Sequence, residues 1–232
     1  MQQYLTQFSH ILLFEHIPQA DLLRSLNCLN AQVIHFEKGN IILHQGEPAR
    51  FIGIILDGSV NIISSDISGN HTLVTHLQHG NLFAETFACA ELDSIPASVI
   101  AAEDSVIMLL EYKRVITGCR NGCMAHSLLV TNLMRSIARK NLRLSQKLSI
   151  LSRRSTRSKL IAYLSTEKQK SGTSRFMIPY DRQELADFLC VERSAMSAEL
   201  SKMKKEGIIS FRKNEFELLA VHQDDGCAPP SV

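Results

Sequence analysis

The stretch DRQELADFLCVERSAMSAELSKMKKEGIISFRKNEF, residues 181–216, decides the fold of the C-terminal half of the chain. Asp181 is followed three residues later by Glu184, which is the capping-box pattern that begins a helix. Leu185 and Leu189 lie four residues apart and give this helix one buried face. The pattern therefore predicts a short amphipathic helix that begins just after Asp181.

A second helix is predicted from Arg193 to Glu206, after a turn at residues 190–192. Its buried face is formed by apolar residues at helical spacing: Met196, Leu200 and Met203. Gly207 ends this helix, and residues 208–219 predict a β-hairpin. Helix, turn, helix and hairpin within about 40 residues is the geometry that places one helix in the major groove of DNA.

The formal net charge of +2 hides an uneven distribution of charge along the chain. Residues 1–110 hold 3 Lys and Arg against 11 Asp and Glu, whereas residues 111–232 hold 22 against 12. An acidic half joined to a basic half predicts two domains, of which the basic one faces a polyanion. The alternative is a chance segregation of charges on solvated surfaces.

Residues 31–110 predict a small antiparallel β-domain. Short β-rich runs such as QVIHF, FIGIIL and TLVTHL follow one another, and six of the eleven glycines lie from Gly39 to Gly80. Strands of this length with glycine turns between them are typical of a barrel or a sandwich. An unrelated sandwich remains an alternative to a β-roll on this pattern.

Residues 124–151 contain neither glycine nor proline and predict one helix, roughly 42 Å long. Apolar residues recur along it at spacings of three and four: Val130, Leu133, Met134, Ile137, Leu144, Leu148 and Leu151. This narrow stripe is typical of a two-helix coiled coil and predicts a homodimer. Asn141 either faces the second helix of the coiled coil, where it fixes the register of the two helices, or faces solvent beside that contact.

Two parts of the sequence resemble one known family. The stretch FEKGNIILHQGEPARFIGIILDGSVNI, residues 36–62, and GNLFAE, residues 80–85, resemble a cyclic-nucleotide-binding domain. The stretches ELADFLCVERS, residues 184–194, and MKKEGII, residues 203–209, resemble the helix-turn-helix of the cAMP receptor protein and fumarate-nitrate reductase regulator (Crp/Fnr) family of bacterial transcription regulators.

The resemblance implies an α+β fold with three parts. We expect an N-terminal antiparallel β-roll that senses an effector in residues 1–120, a long dimerisation helix in residues 121–152, and a C-terminal winged helix-turn-helix in residues 153–232. It also implies a homodimeric, sequence-specific DNA-binding regulator, either an activator or a repressor, with RNA polymerase as a further candidate partner.

The effector pocket departs from the pattern of the nucleotide-binding members. Those members carry a Gly-Glu pair, followed ten residues after the Glu by an Arg and then by Ser or Thr. Here Glu85 is kept, but Ala84 replaces the Gly, Ile95 the Arg and Pro96 the Ser or Thr. A cyclic phosphate would meet no fixed cation and would lose an N–H donor at Pro96, at a cost of about 2–5 kcal/mol. We therefore predict that neither cAMP nor cGMP is the effector.

The long helix also argues against a nucleotide effector. Leu144 and Ser145 fall where nucleotide-binding members place two polar contacts, and Leu144 is apolar. The effector is predicted to be an unknown small molecule, and no cofactor is predicted. Haem and a metal ion stay open as alternatives, although His71, His76 and His79 show no clear ligand pattern.

The exposed face at the start of the second helix is predicted to read the bases of double-stranded DNA. The candidate residues are Arg193, Ser194, Ser197 and Ala198. Many relatives carry a Glu in place of Ser194 and an Arg in place of Ala198, so two direct readers are missing. We therefore expect an AT-rich palindromic operator. Phosphate contacts are expected from Arg182, Gln183, Lys202 and Lys213, each lysine having a solvated surface charge as its alternative.

Other classes of function have less support in the sequence. No phosphate-binding loop, nucleophile elbow or zinc-protease motif is present, so an enzyme is not predicted. No apolar run reaches 18 residues and the first residues do not resemble a signal peptide, which predicts a cytoplasmic protein without a membrane partner. The main alternative is a sensor of a small molecule, a metal or a thiol redox state that acts through protein contacts, with Cys89, Cys119 and Cys123 as candidate ligands. Another is a β-roll of enzymic origin with an incidental basic tail.

Overall fold

The computed structural model describes residue 8 and residues 11–66, 68, 70–117 and 124–219. The helices in these ranges are α1 (Gln19–Cys28), α2 (Glu85–Cys89), α3 (Tyr112–Thr117), α4 (Met124–Leu151), α5 (Thr156–Ser171), α6 (Arg182–Leu189) and α7 (Arg193–Lys205). The strands are β1 (Gln32–Phe36), β2 (Ile41–Leu43), β3 (Phe51–Asp57), β4 (Ser59–Ser65), β5 (His71–Gln78), β6 (Leu82–Phe83), β7 (Ser98–Ala101), β8 (Ser105–Glu111), β9 (Arg175–Met177), β10 (Ile209–Arg212) and β11 (Glu215–Leu218). The chain divides into two compact units, residues 1–140 and 141–232.

The first unit contains two four-stranded antiparallel sheets. Their strand orders are β1-β8-β3-β6 and β2-β7-β4-β5. The interior residues of β3 are all buried, as expected of a central strand that is covered on both faces, whereas β5 lies at a sheet edge and is almost entirely exposed. This arrangement confirms the predicted antiparallel β-roll.

Packing between the two sheets positions the short helix α2. The ring of Phe83 occupies the space that a side chain on Gly53 would need, since a Cβ at this position would lie 2.0 Å from the ring. Phe83 is fully buried with Val60 and Ile107 in one core cluster. Ala84, which follows directly, adopts a left-handed conformation with φ of 60° and precedes the first residue of α2.

The long helix α4 spans residues 124–151, as the sequence predicts. Its first turns pack on the core of the first unit through Leu129 and Leu133, which are buried. The buried Asn132 donates from Nδ2 to the carbonyl oxygens of Leu13 at 3.1 Å and Glu15 at 2.8 Å. These contacts fix the N-terminal part of α4 to the start of the chain. Within the described residues, no helix is both long enough and apolar enough to cross a membrane.

The second unit contains the predicted helix-turn-helix. The capping box is confirmed, because the Asp181 carboxylate accepts from the Glu184 N–H at 2.8 Å and the Glu184 carboxylate accepts from the Asp181 N–H at 2.8 Å. Cys190 adopts a left-handed conformation that turns the chain between α6 and α7. Gly207, with φ of 73°, follows the end of α7. The hairpin β10–β11 then forms the wing.

The wing has a third strand that the sequence did not predict. β9 pairs with β11 in an antiparallel sheet with the order β10-β11-β9. It has only three residues, of which Phe176 alone is buried, so alternation of apolar residues cannot mark it. The core of this unit packs Phe176 and Phe216 with the apolar faces of α5, α6 and α7.

Candidate nucleic-acid interface and effector pocket

The four predicted base-reading residues lie together on one face of α7. Arg193, Ser194 and Ala198 are exposed and Ser197 is half-buried, while the opposite face of the helix is buried in the core. Near this face the Ser201 hydroxyl donates to the Ser197 carbonyl at 2.9 Å. Around Arg193 the face therefore carries only small side chains, which permits a close approach to a ligand surface.

Two acidic side chains, one on α7 and one just after its end, are paired with a cation from α5. Arg157 lies 3.4 Å from Glu199 and also forms an ion pair with Glu206. Hydrogen bonding to Glu206 raises the pKa of Arg157, and the same contact lowers the pKa of the Glu206 carboxyl. Arg157 offsets one of these two negative charges, and the exposed Lys202 and Lys205 give this part of the chain a net positive charge.

Three of the predicted phosphate contacts are exposed, namely Gln183, Lys202 and Lys213. Lys213 lies in the turn between β10 and β11 and has φ of 53°. The Gln183 amide donates to the Asp187 carboxylate at 2.9 Å, an interaction that holds it along α6. Lys202 and Lys213 thus present charged groups on α7 and on the wing.

Arg182, the fourth predicted phosphate contact, is turned towards the wing. Its guanidinium carbon lies 4.9 Å from the ring centroid of Phe211 and 5.0 Å from that of Phe216. Its Nη2 donates to the Lys213 carbonyl at 3.0 Å. Burial lowers the pKa of this guanidinium. Arg182 therefore differs from the exposed candidates in having its charged group packed inside the unit.

In the first unit, Glu85 is buried and paired with a lysine of α4. Glu85 is 2% exposed, and its carboxylate forms an ion pair with the ammonium group of Lys140. Lys140 also donates to the Leu82 carbonyl at 2.9 Å. Nothing in the local sequence marks Lys140 as a site residue. It lies one helical turn before Leu144, which the sequence predicts to be part of the effector pocket.

The other predicted pocket residues in the β-roll have their polar backbone groups engaged. Ile95 is 2% exposed, and its N–H donates to the Glu47 carbonyl at 2.8 Å. Pro96 is exposed, and its carbonyl accepts from the Ser64 hydroxyl at 3.4 Å. Neither residue therefore offers a free N–H group to an anion.

A cleft of about 410 Å³ brings Ala84 and Ile95 together within the first unit. Its lining is mostly apolar and consists of Ile42, Leu43, Glu47, Pro48, Ala49, Arg50, Phe51, Ala84, Ile95 and Leu109. Leu144 and Ser145, the remaining predicted pocket residues, lie on α4 within the second unit, where both are exposed.

The three histidines considered as candidate metal or haem ligands each have a separate hydrogen-bond partner. His71 contacts Ser65, His76 contacts Asn61 and His79 contacts the Leu56 carbonyl, at 2.8, 2.8 and 2.7 Å. In the part of the chain that the structure describes, no three His, Cys, Asp or Glu side chains are grouped to hold a metal ion. Cys119 and Cys123 lie outside the described residues.

Comparison with known proteins gives relatives for the fold. The structure is similar to the catabolite activator protein of Thermus thermophilus, with a TM-score of 0.52 and 22% identity over 89% of this chain and 93% of that one. It is also similar to the c-di-GMP responsive global regulator CLP of Xanthomonas campestris, with a TM-score of 0.51 and 15% identity over 87% and 100% of the two chains. In sequence, 110 residues are 27% identical to human cGMP-dependent protein kinase 2; this match covers 47% of the chain and 14% of the kinase.

Family models match both halves of the sequence. A cyclic nucleotide-binding domain matches residues 33–121, and a Crp-like helix-turn-helix domain matches residues 158–223. The two matches cover about two thirds of the chain and follow one another in the order that the fold shows. With these two domains in one chain, the protein belongs to the Crp/Fnr family of bacterial transcription regulators.

Proposed function

We propose that the protein is a homodimeric regulator that binds a palindromic DNA operator and is gated by an effector other than a cyclic nucleotide. The observation that carries the DNA-binding part is the exposed face of α7, where Arg193 lies among small side chains. Glu199, farther along this helix, and Glu206, just after its end, are paired with Arg157. The geometry suits a helix that enters the major groove and approaches the base edges closely.

The exposed face of α4 supports the homodimer. We call the seam the residues spaced alternately by four and three along α4: Val130, Met134, Ile137, Asn141, Leu144, Leu148 and Leu151. Met134, Leu144 and Leu148 are 67%, 68% and 69% exposed in the single chain. Large apolar side chains on a heptad repeat gain stability when a second helix covers them. We assign dimerisation to residues 121–152, between the sensing part at 1–120 and the DNA-binding part at 153–232.

The buried ion pair of Glu85 supports an effector that is not a cyclic nucleotide. In nucleotide-binding members the glutamate at this position holds the ribose, whereas here its carboxylate is engaged by Lys140. The phosphate-binding arginine is replaced by the buried Ile95. The names of two similar proteins refer to cGMP and c-di-GMP. Neither nucleotide would find a fixed cation at Ile95, so we do not assign them to this chain.

The cleft beside Ala84 and Ile95 supports an effector with a large apolar part. Its walls include Ile42, Phe51 and Leu109, which favour contact with hydrocarbon or aromatic groups. We propose that binding there shifts the population of conformers of the dimer. In the competent conformer, the two copies of α7 are about 34 Å apart, which matches successive major grooves.

Selection of binding sites from random duplex DNA tests the proposed function. We expect AT-rich palindromes whose half-sites are one helical turn apart, because Ser194 and Ala198 provide few direct base contacts. The variant Arg193→Ala serves as a control and should lose most of the enrichment. A GTGA-type half-site, or equal enrichment by wild type and Arg193→Ala, would contradict this prediction.

Sedimentation velocity tests the seam. The double variant Leu144→Glu, Leu148→Glu should sediment as a monomer where the wild type is a dimer, because it places carboxylates between the two helices. Gln146→Glu, which adds a carboxylate at an exposed position outside the seam, should remain dimeric. A monomeric wild type, or equal dissociation of both variants, would show that the seam is not the dimer contact.

Urea unfolding tests the ion pair in the β-roll. Lys140→Met leaves the Glu85 carboxylate buried without its partner and should lower the free energy of unfolding by about 2 kcal/mol. This value allows for the partly exposed Lys140 side chain. Adding Glu85→Gln should restore much of the loss because no buried charge then remains, and Arg143→Met, at an exposed position of α4, should have little effect. A double variant as unstable as Lys140→Met would rule out the buried charge as the cause.

A further inference from the structure

The tip of the wing has a backbone conformation that needs support from outside the hairpin. Lys213, in the turn that joins β10 to β11, has φ of 53°. This left-handed conformation is uncommon for a residue with a side chain and carries a cost in free energy. The preceding strand residue Arg212 pairs with Glu215, so the turn is tight, and its Asn214 carbonyl accepts from the N–H of Ile178, outside the hairpin, at 2.9 Å.

The guanidinium of Arg182 supplies this support from the start of α6. Its Nη2 donates to the Lys213 carbonyl at 3.0 Å. The same group lies within 5.0 Å of the ring centroids of Phe211 and Phe216, which face each other across β10 and β11. A planar cation can stack on aromatic rings and donate a hydrogen bond at its edge, so one side chain binds both strands and the turn.

Arg182 is half-buried, and one end of its guanidinium is shielded from solvent. Its Nη1 is buried and has no hydrogen-bond partner in the part of the chain that the structure describes. Leaving the wing to reach a phosphate would break the hydrogen bond to Lys213 and both ring contacts. The Arg182 side chain is therefore better placed to hold the wing than to contact DNA.

A second cation fixes the same strand from the other helix. Lys204 of α7 lies with its Nζ 4.9 Å from the ring centroid of Phe211 and donates to the Phe211 carbonyl at 3.3 Å. The wing is thus connected to α6 through Arg182 and to α7 through Lys204. Both connections act on Phe211, two residues before the exposed Lys213.

We propose that Arg182 is a positioning residue that fixes the wing turn and thereby directs Lys213 to a DNA phosphate. This proposal rests on the proposed DNA-binding function. It replaces the expectation from the sequence that Arg182 contacts a phosphate itself. In this arrangement the phosphate contact of the wing belongs to Lys213, and Arg182 acts through it.

Amide hydrogen exchange of the full chain tests the role of Arg182 without DNA. Arg182→Met and Arg182→Lys should both accelerate exchange in residues 209–218, because a lysine keeps the charge but lacks the planar edge that holds Lys213. Exchange in α7 should change little, and Gln183→Met, at the neighbouring exposed position, should leave the wing unchanged. Wild-type exchange of the wing in both Arg182 variants would overturn the proposal.

The salt dependence of DNA binding tests whether Arg182 acts through Lys213. The probe is a 30-base-pair duplex of random sequence, titrated at several KCl concentrations. Lys213→Gln should reduce the slope of log affinity against log salt by about 2 per dimer, from about 0.9 for each of two lost phosphate contacts. Adding Arg182→Met to Lys213→Gln should leave that slope unchanged.

A further reduction by about 2 in the double variant would show that Arg182 contacts a phosphate itself, and would overturn the proposal. Arg182→Met and Arg182→Lys alone should each lower the slope of log affinity against log salt, because Lys213 is then no longer directed to its phosphate. A wild-type slope in Arg182→Lys would also count against the proposal. A wild type that binds no duplex DNA would overturn the proposed function instead, while the exchange experiment would still decide the role of Arg182.

Discussion

The ion pair between Glu85 and Lys140 joins the short helix α2 to the long helix α4 within the first unit. A carboxylate that is 2% exposed is stable as an anion only with a partner, and the partner here is a lysine of the long helix. The same lysine donates to the Leu82 carbonyl. The segment from β6 to α2, which in nucleotide-binding members receives the ligand, is therefore joined to α4 by the protein's own charges.

Packing around this ion pair also holds the segment from β6 to α2 in place. Gly53 leaves room for the ring of Phe83, and the next residue, Ala84, has a left-handed conformation directly before α2. Ile95 closes the neighbouring wall with its N–H already bonded to the Glu47 carbonyl. The fold of a cyclic nucleotide-binding domain is kept, whereas Ile95 and Pro96 stand at the positions where nucleotide-binding members carry an Arg and a Ser or Thr.

In the DNA-binding domain, too, some charged side chains are engaged by partners within the unit. Arg157 forms ion pairs with both Glu199 and Glu206, and Arg182 packs on the rings of the wing, so several charged side chains serve the structure of the unit. Exposed cations also lie on the recognition helix and at the wing tip, Arg193 and Lys213 among them. A surface of this kind favours recognition through the phosphate backbone and the shape of the duplex.

Local signals were sufficient to predict the architecture. The capping box at Asp181 and the absence of glycine and proline along α4 act within a few residues, and the structure confirms both. Contacts between distant parts of the chain were not predictable in this way. Lys140 reaches a residue 55 positions earlier, and Arg182 is covered by a wing that begins 27 positions later. Neither side chain differs in its local sequence from a solvated surface charge.

We propose that the β-roll of this regulator does not recognise a cyclic phosphate. Isothermal titration calorimetry of the full chain with cAMP, and separately with cGMP, tests it most directly. No saturable heat is expected from either nucleotide, because Ile95 provides no cation and Glu85 is engaged by Lys140. Saturable binding of either nucleotide with a micromolar or lower Kd would contradict it.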